Sequence, residues 1–193
     1  MTAAAFEDRA LGAQAAFRAL LGALARPGTA QTMGPDLPTP PAGMGRGLYA
    51  AILALADFET SVWLAPELAG AARDLRFQLG AKLVDAPADA AFALTADGTA
   101  LPPLTAFAQG DDAYPDRSTT LLVEVSALGA DGGWRLTGPG IATETRLDAR
   151  GLPADFVAQW ADNHARFPRG VDLFLFAGAT VVGLPRTTDI RGG

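Results

Sequence analysis

The stretch WADNHARFPRGVDLFLFAGATVVGLPRTT, from Trp160 to Thr188, decides the fold of this chain. After a helix end and a turn, it predicts two apolar strands at 173–177 and 180–184. Asp172 stands at the entry to this strand pair, and Pro185-Arg186-Thr187-Thr188 follows it. These polar residues either form a site or only cap the strands, and both interpretations are open at this point.

Apolar spacing predicts further helices and strands on the N-terminal side of this stretch. A stripe of Phe17, Leu20, Leu21 and Leu24 is typical of an amphipathic helix. Arg26-Pro27-Gly28 ends that helix. Three more helices are predicted at 48–56, 66–79 and 153–165. Strands are predicted at 61–64, 90–95 and 119–125, and a hairpin joins 134–137 to 142–147.

Two segments, 33–47 and 101–118, are interrupted by proline and glycine and are predicted to be loops. Strands and helices alternate over much of the chain, while the hairpin breaks the alternation. This order favours an α/β fold, a three-layer sandwich around a mixed β-sheet. With no internal repeat and no linker of low complexity, we expect one domain over 1–193.

Composition excludes several classes of protein. A net charge of -6 and a pI near 4.7 argue against nucleic acid as a partner. The longest apolar run, 48–56, is far below the roughly 20 residues that span a bilayer, so no membrane segment is expected. Met1 to Arg9 lacks the pattern of a secretory signal, which predicts a cytoplasmic protein. The absence of cysteine excludes disulfides, thiolate metal sites and cysteine nucleophiles.

Nucleotide-binding motifs are absent or out of context. Lys82, in Gly80-Ala81-Lys82-Leu83, lacks the glycine spacing and the following Ser or Thr of a P-loop. The segment 45–50 matches G-x-G-x-x-A, but it follows a proline-rich loop instead of a strand. A dinucleotide fold is therefore not predicted.

The remaining candidates for chemistry are sparse. One histidine and no cysteine cannot supply a usual zinc site. Carboxylates could still help to hold Mg²⁺, although solvated acidic loops are commoner; the candidates are Asp111, Asp112, Asp116 and Asp172. A triad of Ser118, His164 and Asp172 lacks a nucleophile elbow. For His164, near a helix C-terminus, capping by the helix dipole is the preferred interpretation.

Arg186, Thr187 and Thr188 leave a strand end together. Their guanidinium and hydroxyl groups can all donate to a phosphoryl oxygen, and ligands of open α/β sheets bind at the carboxyl ends of strands. A structural pair between Arg186 and Asp172 explains the same residues equally well. The sequence leaves both alternatives open.

Several motifs follow one another in order over nearly the whole chain. They are Phe17-Arg18-Ala19-Leu20-Leu21 with Pro27-Gly28, Thr60-Ser61-Val62-Trp63-Leu64, Leu75-Arg76-Phe77, Leu136-Thr137-Gly138-Pro139-Gly140-Ile141, Phe167-Pro168-Arg169-Gly170-Val171-Asp172-Leu173 and Pro185-Arg186-Thr187-Thr188. Several motifs in order are more specific than any one of them. Together they resemble the PhnH family, whose members are subunits of the bacterial carbon-phosphorus lyase system for phosphonate use.

The resemblance implies a fold similar to the pyridoxal-phosphate-dependent transferases without the cofactor. It also implies a homodimer that assembles with the sister subunits PhnG, PhnI and PhnJ. In that family the assembly displaces adenine from ATP with a phosphonate, which gives a ribose 1-phosphonate 5-triphosphate. A pyridoxal enzyme needs a Schiff-base lysine. Lys82 is the only lysine and is predicted at the surface, so no cofactor is expected.

The leading hypothesis is an accessory or structural subunit of the phosphonate-to-ribose transfer complex, with catalysis on this chain left undecided. The residues expected to shape a ligand pocket for ATP or a phosphonate, or an interface, are Arg76, Asp172, Arg186, Thr187 and Thr188. No metal is expected. A stand-alone enzyme acting on a phosphorylated or nucleotide ligand is the second hypothesis, and a plain dimeric scaffold is the third.

Overall fold

The computed structural model describes residues 5–192. Two predictions therefore lie partly outside the described residues. One is the single domain over 1–193, and the other is the lack of a secretory signal in Met1 to Arg9. Within these residues the α-helices are α1 (Arg9–Ala25), α2 (Arg46–Leu55), α3 (Ala72–Leu79) and α4 (Phe156–Ala165). Asp8 starts α1 by accepting hydrogen bonds from the backbone N–H groups of Ala10 and Leu11. Gly80, at φ +66°, ends α3.

The strands of the described residues form two sheets. A seven-stranded mixed sheet has the order β1-β9-β8-β5-β4-β2-β3, and a three-stranded antiparallel sheet has the order β10-β6-β7. The strands are β1 (Gln31–Thr32), β2 (Ser61–Leu64), β3 (Lys82–Val84), β4 (Phe92–Thr95), β5 (Thr120–Glu124), β6 (Ala127–Thr137), β7 (Thr145–Arg150), β8 (Asp172–Ala177), β9 (Thr180–Leu184) and β10 (Asp189–Arg191).

Both faces of the large sheet are covered. Alternate strand residues such as Leu122, Phe174 and Phe176 pack against α1, α2 and α3 on one face. The other residues of the same strands pack against α4 and the small sheet, where Phe156 and Trp160 are buried. The mixed sheet is thus confirmed, and the third layer combines a helix with a small sheet.

The first helix exists, but its predicted buried stripe is wrong in part. Leu20 is buried, whereas Phe17 and Leu21 are 50% and 57% exposed. The reason is close packing of α1 on β9, because a Cβ at Gly183 would lie 2.7 Å from the backbone of Ala23. Only small side chains fit at so close a contact, so the larger side chains face outward.

Other predicted boundaries are close to the observed ones. The strand at 61–64 is confirmed, and the predicted third helix divides into a 3₁₀ turn, Pro66–Ala71, and α3. The predicted hairpin is β6 paired with β7, but 142–144 belongs to the turn and β6 begins at Ala127. The short strands β1, β3 and β10 were not predicted, since two or three residues carry too little apolar pattern.

Strand directions decide which residues can meet. β2, β4, β5 and β8 run parallel, while β9 is antiparallel to β8. The end of β9, followed by Arg186, therefore lies at the amino ends of the parallel strands. Arg186 does follow the carboxyl end of its own strand, β9, but the carboxyl ends of the parallel strands, where ligands of α/β sheets bind, lie at the other end of the sheet.

Candidate functional site

Arg186 is held in place by hydrogen bonds from its whole side chain. Nε and one terminal nitrogen bind the two carboxylate oxygens of Asp172, at 3.1 and 2.5 Å. The other terminal nitrogen donates to the backbone oxygens of Pro115 and Pro168, at 2.9 and 3.2 Å, and Ser118 Oγ accepts the fifth bond. A guanidinium has five N–H donors, and all five are used within the chain.

The backbone of Arg186 extends this network. Its N–H donates to Asp172 Oδ1 at 2.8 Å, and its carbonyl lies 2.9 Å from His164 Nδ1 in the last turn of α4. Since a carbonyl can only accept, Nδ1 carries the proton. Ser118, His164 and Asp172 thus come together, but each binds Arg186 and they form no catalytic relay. Between the two sequence alternatives, the geometry matches the structural pair.

We call the set Asp172, Arg186, Ser118 and His164 the arginine clamp. Its side chains are largely buried, with 12% of Arg186 and 24% of Asp172 exposed. The clamp ties the loop 110–118 to the turn 166–170 at the start of β8. Because every donor of Arg186 is already bound, the clamp has no N–H left for a phosphoryl oxygen. What the clamp can do is fix two surface loops.

Thr188 and its neighbours fasten α4 to the same region. Trp160 Nε1 donates to the carbonyl of Thr188 at 2.8 Å. The hydroxyl of Thr188 is buried, and among the described residues it has no hydrogen-bond partner. Asn163 binds both backbone groups of Val171, at 2.8 and 3.0 Å. Sequence reasoning missed Asn163 and Trp160 as anchors, although a polar residue on the buried face of a helix is a signal for one.

Arg76 is not brought to the arginine clamp. It is exposed on α3, which packs near β3 at one edge of the sheet. Four strands separate β3 from β9, a distance of about 24 Å at normal strand spacing. Any role for Arg76 is therefore separate from that of Arg186. Lys82 is exposed at the start of the edge strand β3, in agreement with the surface position predicted for it.

Three of the four acidic residues considered for Mg²⁺ have partners, and Asp172 is the one paired with Arg186. Asp111 accepts from the backbone N–H groups of Ala113 and Tyr114, and Asp112 pairs with Arg169 at 3.3 Å. Across residues 5–192, no group of three or more His, Asp and Glu side chains is placed to hold a metal ion. In the same residues, no helix has both the length and the hydrophobicity needed to cross a membrane.

The loops held by the clamp carry large exposed side chains. Phe167 is 61% exposed and Tyr114 is 50% exposed. The guanidinium of Arg117 lies 4.0 Å from the centre of the Tyr114 ring, and Arg169 belongs to the turn that contains Phe167. Aromatic residues and arginine are the types enriched at protein interfaces. We call Tyr114, Arg117, Phe167 and Arg169 the loop surface.

A second polar feature lies at the other ends of the parallel strands, away from the arginine clamp. Glu124 ends the central strand β5 and lines a cleft of about 330 Å³. The cleft is bounded by 96–99 after β4, 124–126 after β5, Gly178 after β8, and Gly151. It lies at the carboxyl ends of the parallel strands, where ligands of α/β sheets bind. We call it the Glu124 cleft.

Glycines make room for the Glu124 side chain and shape its cleft. A Cβ at Gly45, the residue before α2, would lie 1.6 Å from Glu124 Oε1. A Cβ at Gly98 would lie 2.3 Å from the carbonyl of Gly151. Burial raises the pKa of Glu124 to about 7, although the neighbouring N–H of Gly45 acts in the opposite direction and lowers it. Glu124 is thus a carboxyl group that exchanges its proton near neutral pH.

Sequence reasoning overlooked Glu124 because it stands inside the apolar run 119–125, which was interpreted only as a strand. The available signal was an acidic residue at the end of a central strand. The segment 45–50, rejected as a dinucleotide motif, starts α2 beside this carboxylate. Its glycines serve close packing, since a Cβ at Gly47 would lie 2.4 Å from the Gly178 carbonyl.

Comparisons with known proteins agree over nearly the whole chain. A family model described as "Bacterial phosphonate metabolism protein (PhnH)" matches residues 4–191. The chain is 42% identical over 191 residues to "Alpha-D-ribose 1-methylphosphonate 5-triphosphate synthase subunit PhnH" of Rhizobium meliloti (strain 1021), which covers 97% of this chain and 94% of the relative. It is 34% identical over 178 residues to "Putative C-P lyase subunit protein HtxG" of Stutzerimonas stutzeri, covering 92% and 85%.

Proposed function

The chain belongs to the PhnH family of bacterial phosphonate metabolism proteins, and on this premise we propose that it is a subunit of a ribose 1-methylphosphonate 5-triphosphate synthase. The proposal places it in a carbon-phosphorus lyase complex that takes part in phosphonate breakdown. Its main support is the similarity to the Rhizobium meliloti subunit over 97% of this chain. The similarity to HtxG points to the same kind of assembly.

Within that complex we propose an accessory, structural role for the arginine clamp. All five N–H donors of the Arg186 side chain are bound within the chain, so this residue is suited to fixing two loops and not to binding a ligand. Those loops present the loop surface, whose exposed aromatic side chains suit a protein contact. Thr188 anchors α4 through its carbonyl, and the backbone carbonyl of Thr187 packs against Gly138.

The partners expected from the family are PhnG, PhnI and PhnJ, together with a second copy of this chain. Exposed apolar side chains on α1, namely Leu11, Phe17 and Leu21, are available for such contacts. The proposal also includes a cytoplasmic location. It further includes a likeness of the seven-stranded sheet to pyridoxal-phosphate-dependent transferases, without the cofactor. The exposed position of Lys82, the lysine that a Schiff base would need, supports the part of this proposal that concerns the cofactor.

Co-expression of the tagged chain with PhnG, PhnI and PhnJ tests this function. We expect the four proteins to elute together. Replacing both Tyr114 and Phe167 with serine should weaken the association about tenfold or more, because buried aromatic side chains contribute 2 kcal/mol or more at interfaces. The melting temperature should stay close to that of the wild type, since both side chains are exposed.

Phe77→Ser is the matched control, because Phe77 is 83% exposed on α3, near the far edge of the sheet from the loop surface. This variant should co-elute like the wild type. If the wild-type chain elutes alone, the subunit assignment is wrong. If Phe77→Ser disrupts the complex and the double variant does not, the loop surface is not the interface.

A further inference from the structure

The Glu124 cleft is not used by the proposed structural role. It lies at the carboxyl ends of the parallel strands, whereas the arginine clamp lies at their amino ends. No contact proposed so far therefore occupies the cleft. Its volume of about 330 Å³ is within the range of small-molecule sites. The parallel strands β4, β5 and β8 all end at it. Position and size therefore qualify it as a ligand site.

The chemistry of the lining favours a ligand that donates hydrogen bonds. Glu124 is an acceptor when ionised, and its carboxylate lies beside the N–H of Gly45. Ser126 Oγ donates its proton to the carbonyl of Arg150, which leaves only acceptor capacity. Asp97 Oδ1 accepts from Thr99. No arginine or lysine side chain is among the described residues that line the cleft, which disfavours a phosphate group there.

A neutral donor fits better than a cation. Bringing an ammonium group into a half-buried cleft costs desolvation in addition to that of Glu124. Hydroxyl groups avoid this second charge. Two neighbouring hydroxyls match the two oxygens of one carboxylate, the geometry by which acidic residues at strand ends hold ribose.

We propose that the Glu124 cleft binds a vicinal diol of the kind that ribose carries, with the carboxylate of Glu124 accepting both hydroxyl protons. The choice of ribose among diols rests on the proposed function, whose product contains that sugar. Gly45 leaves the space that the carboxylate occupies, and Gly98 allows the turn after β4 to close against β5. Phosphate groups of the ligand would point out of the cleft.

Binding should depend on pH, because only the ionised carboxylate accepts two protons from hydroxyls. The charged groups around Glu124 are held by other partners. Arg46, at the start of α2, donates to the carbonyls of Leu37 and Pro38. Arg150 pairs with Asp148, and Asp97 caps the turn after β4. Titration of Glu124 thus governs the dependence, and affinity should fall as the pH drops through 7.

Nuclear magnetic resonance of the full chain with methyl β-D-ribofuranoside tests the proposal. Amide signals of Gly98 and Gly178 should shift and saturate at millimolar riboside at pH 8. At pH 6 the affinity should be about tenfold lower, as the ionised fraction of a group with a pKa near 7 falls by that factor. The 2-deoxy riboside and the Glu124→Gln variant should both bind at least about tenfold more weakly.

Glu144→Gln is the matched control, since Glu144 is an exposed glutamate paired with Arg135 outside the cleft, and it should bind as the wild type does. If Glu124→Gln does not fold, the wild-type chain still tests the proposal, through its affinities for the two ribosides and at the two pH values. The proposal is overturned if the two ribosides bind equally, if neither shifts the cleft signals at tens of millimolar, or if methylammonium binds instead. Co-elution of Glu124→Gln with the sister subunits separates this failure from failure of the subunit assignment.

Discussion

Arg186→Ala is expected to lower the free energy of unfolding by about 3–5 kcal/mol, because it leaves the mostly buried carboxylate of Asp172 without its cation. The same change removes the bonds from Arg186 to the loop 110–118 and the turn 166–170. Urea denaturation of the wild type and the variant measures the difference. Co-elution with the sister subunits should fall as well, since the loop surface loses its support.

Arg169→Ala supplies the control for the stability measurement. Arg169 lies in the same turn, but its pair with Asp112 is exposed, so its removal should change the stability by no more than about 0.5 kcal/mol. A loss for Arg186→Ala as small as that for Arg169→Ala would show that the clamp does not stabilise the chain. It would also reopen the interpretation of Arg186 as a ligand residue.

Gly45→Ala is expected to expel the Glu124 side chain and to cost about 1–3 kcal/mol of stability, the usual cost of overpacking. A Cβ at position 45 would lie 1.6 Å from Oε1 of Glu124. The backbone at Gly45, with φ -78° and ψ 158°, accepts alanine without strain. The cost should therefore come from the carboxylate, and Gly45→Ala should cost much less in a chain that also carries Glu124→Ala.

The pH dependence of this cost follows from the raised pKa of Glu124. Its ordinary value is 4.5 and its folded value is about 7, so the folded chain holds the proton more tightly than the unfolded chain. The stability that this provides is complete below 4.5 and is lost as the pH rises through 7. Once expelled into water, the carboxyl group loses the shift. Gly45→Ala should consequently cost less at pH 8 than at pH 5.

Denaturation at both pH values measures this effect, with Gly70→Ala as the control. A Cβ at Gly70 has no atom within 4 Å among the described residues, so its effect should stay within about 0.5 kcal/mol. An effect of Gly45→Ala that matches Gly70→Ala at both pH values would contradict the tight packing of Glu124 against α2.

The sequence predicted the elements of the large sheet better than the contacts between them. The long apolar runs 173–177 and 119–125 became the central strands, because burial on both faces requires continuous apolar sequence. The direction of each strand could not be predicted from the sequence. Only the pairing of β9 antiparallel to β8 places Arg186 at the amino ends of the parallel strands, and that pairing depends on tertiary packing.

The candidate site was predicted in part for the same reason. Asp172 and Arg186 form the pair that was one of the two alternatives, and the pairing of Ser118 with Arg186 spans 68 residues of sequence. Motif spacing cannot show such contacts. Glu124 was missed because its environment comes from Gly45, the residue before α2, which is far from Glu124 in the sequence. The exposed stripe of α1 was mispredicted because hydrophobic spacing does not record how closely a helix approaches its sheet.

A reconstituted complex assayed with and without this chain tests the central claim most directly. The assay follows formation of ribose 1-methylphosphonate 5-triphosphate from ATP and methylphosphonate by PhnG, PhnI and PhnJ. If the chain is a working subunit, its omission should reduce product formation at least about tenfold, and adding it back should restore the rate. An unchanged rate in its absence would contradict the account.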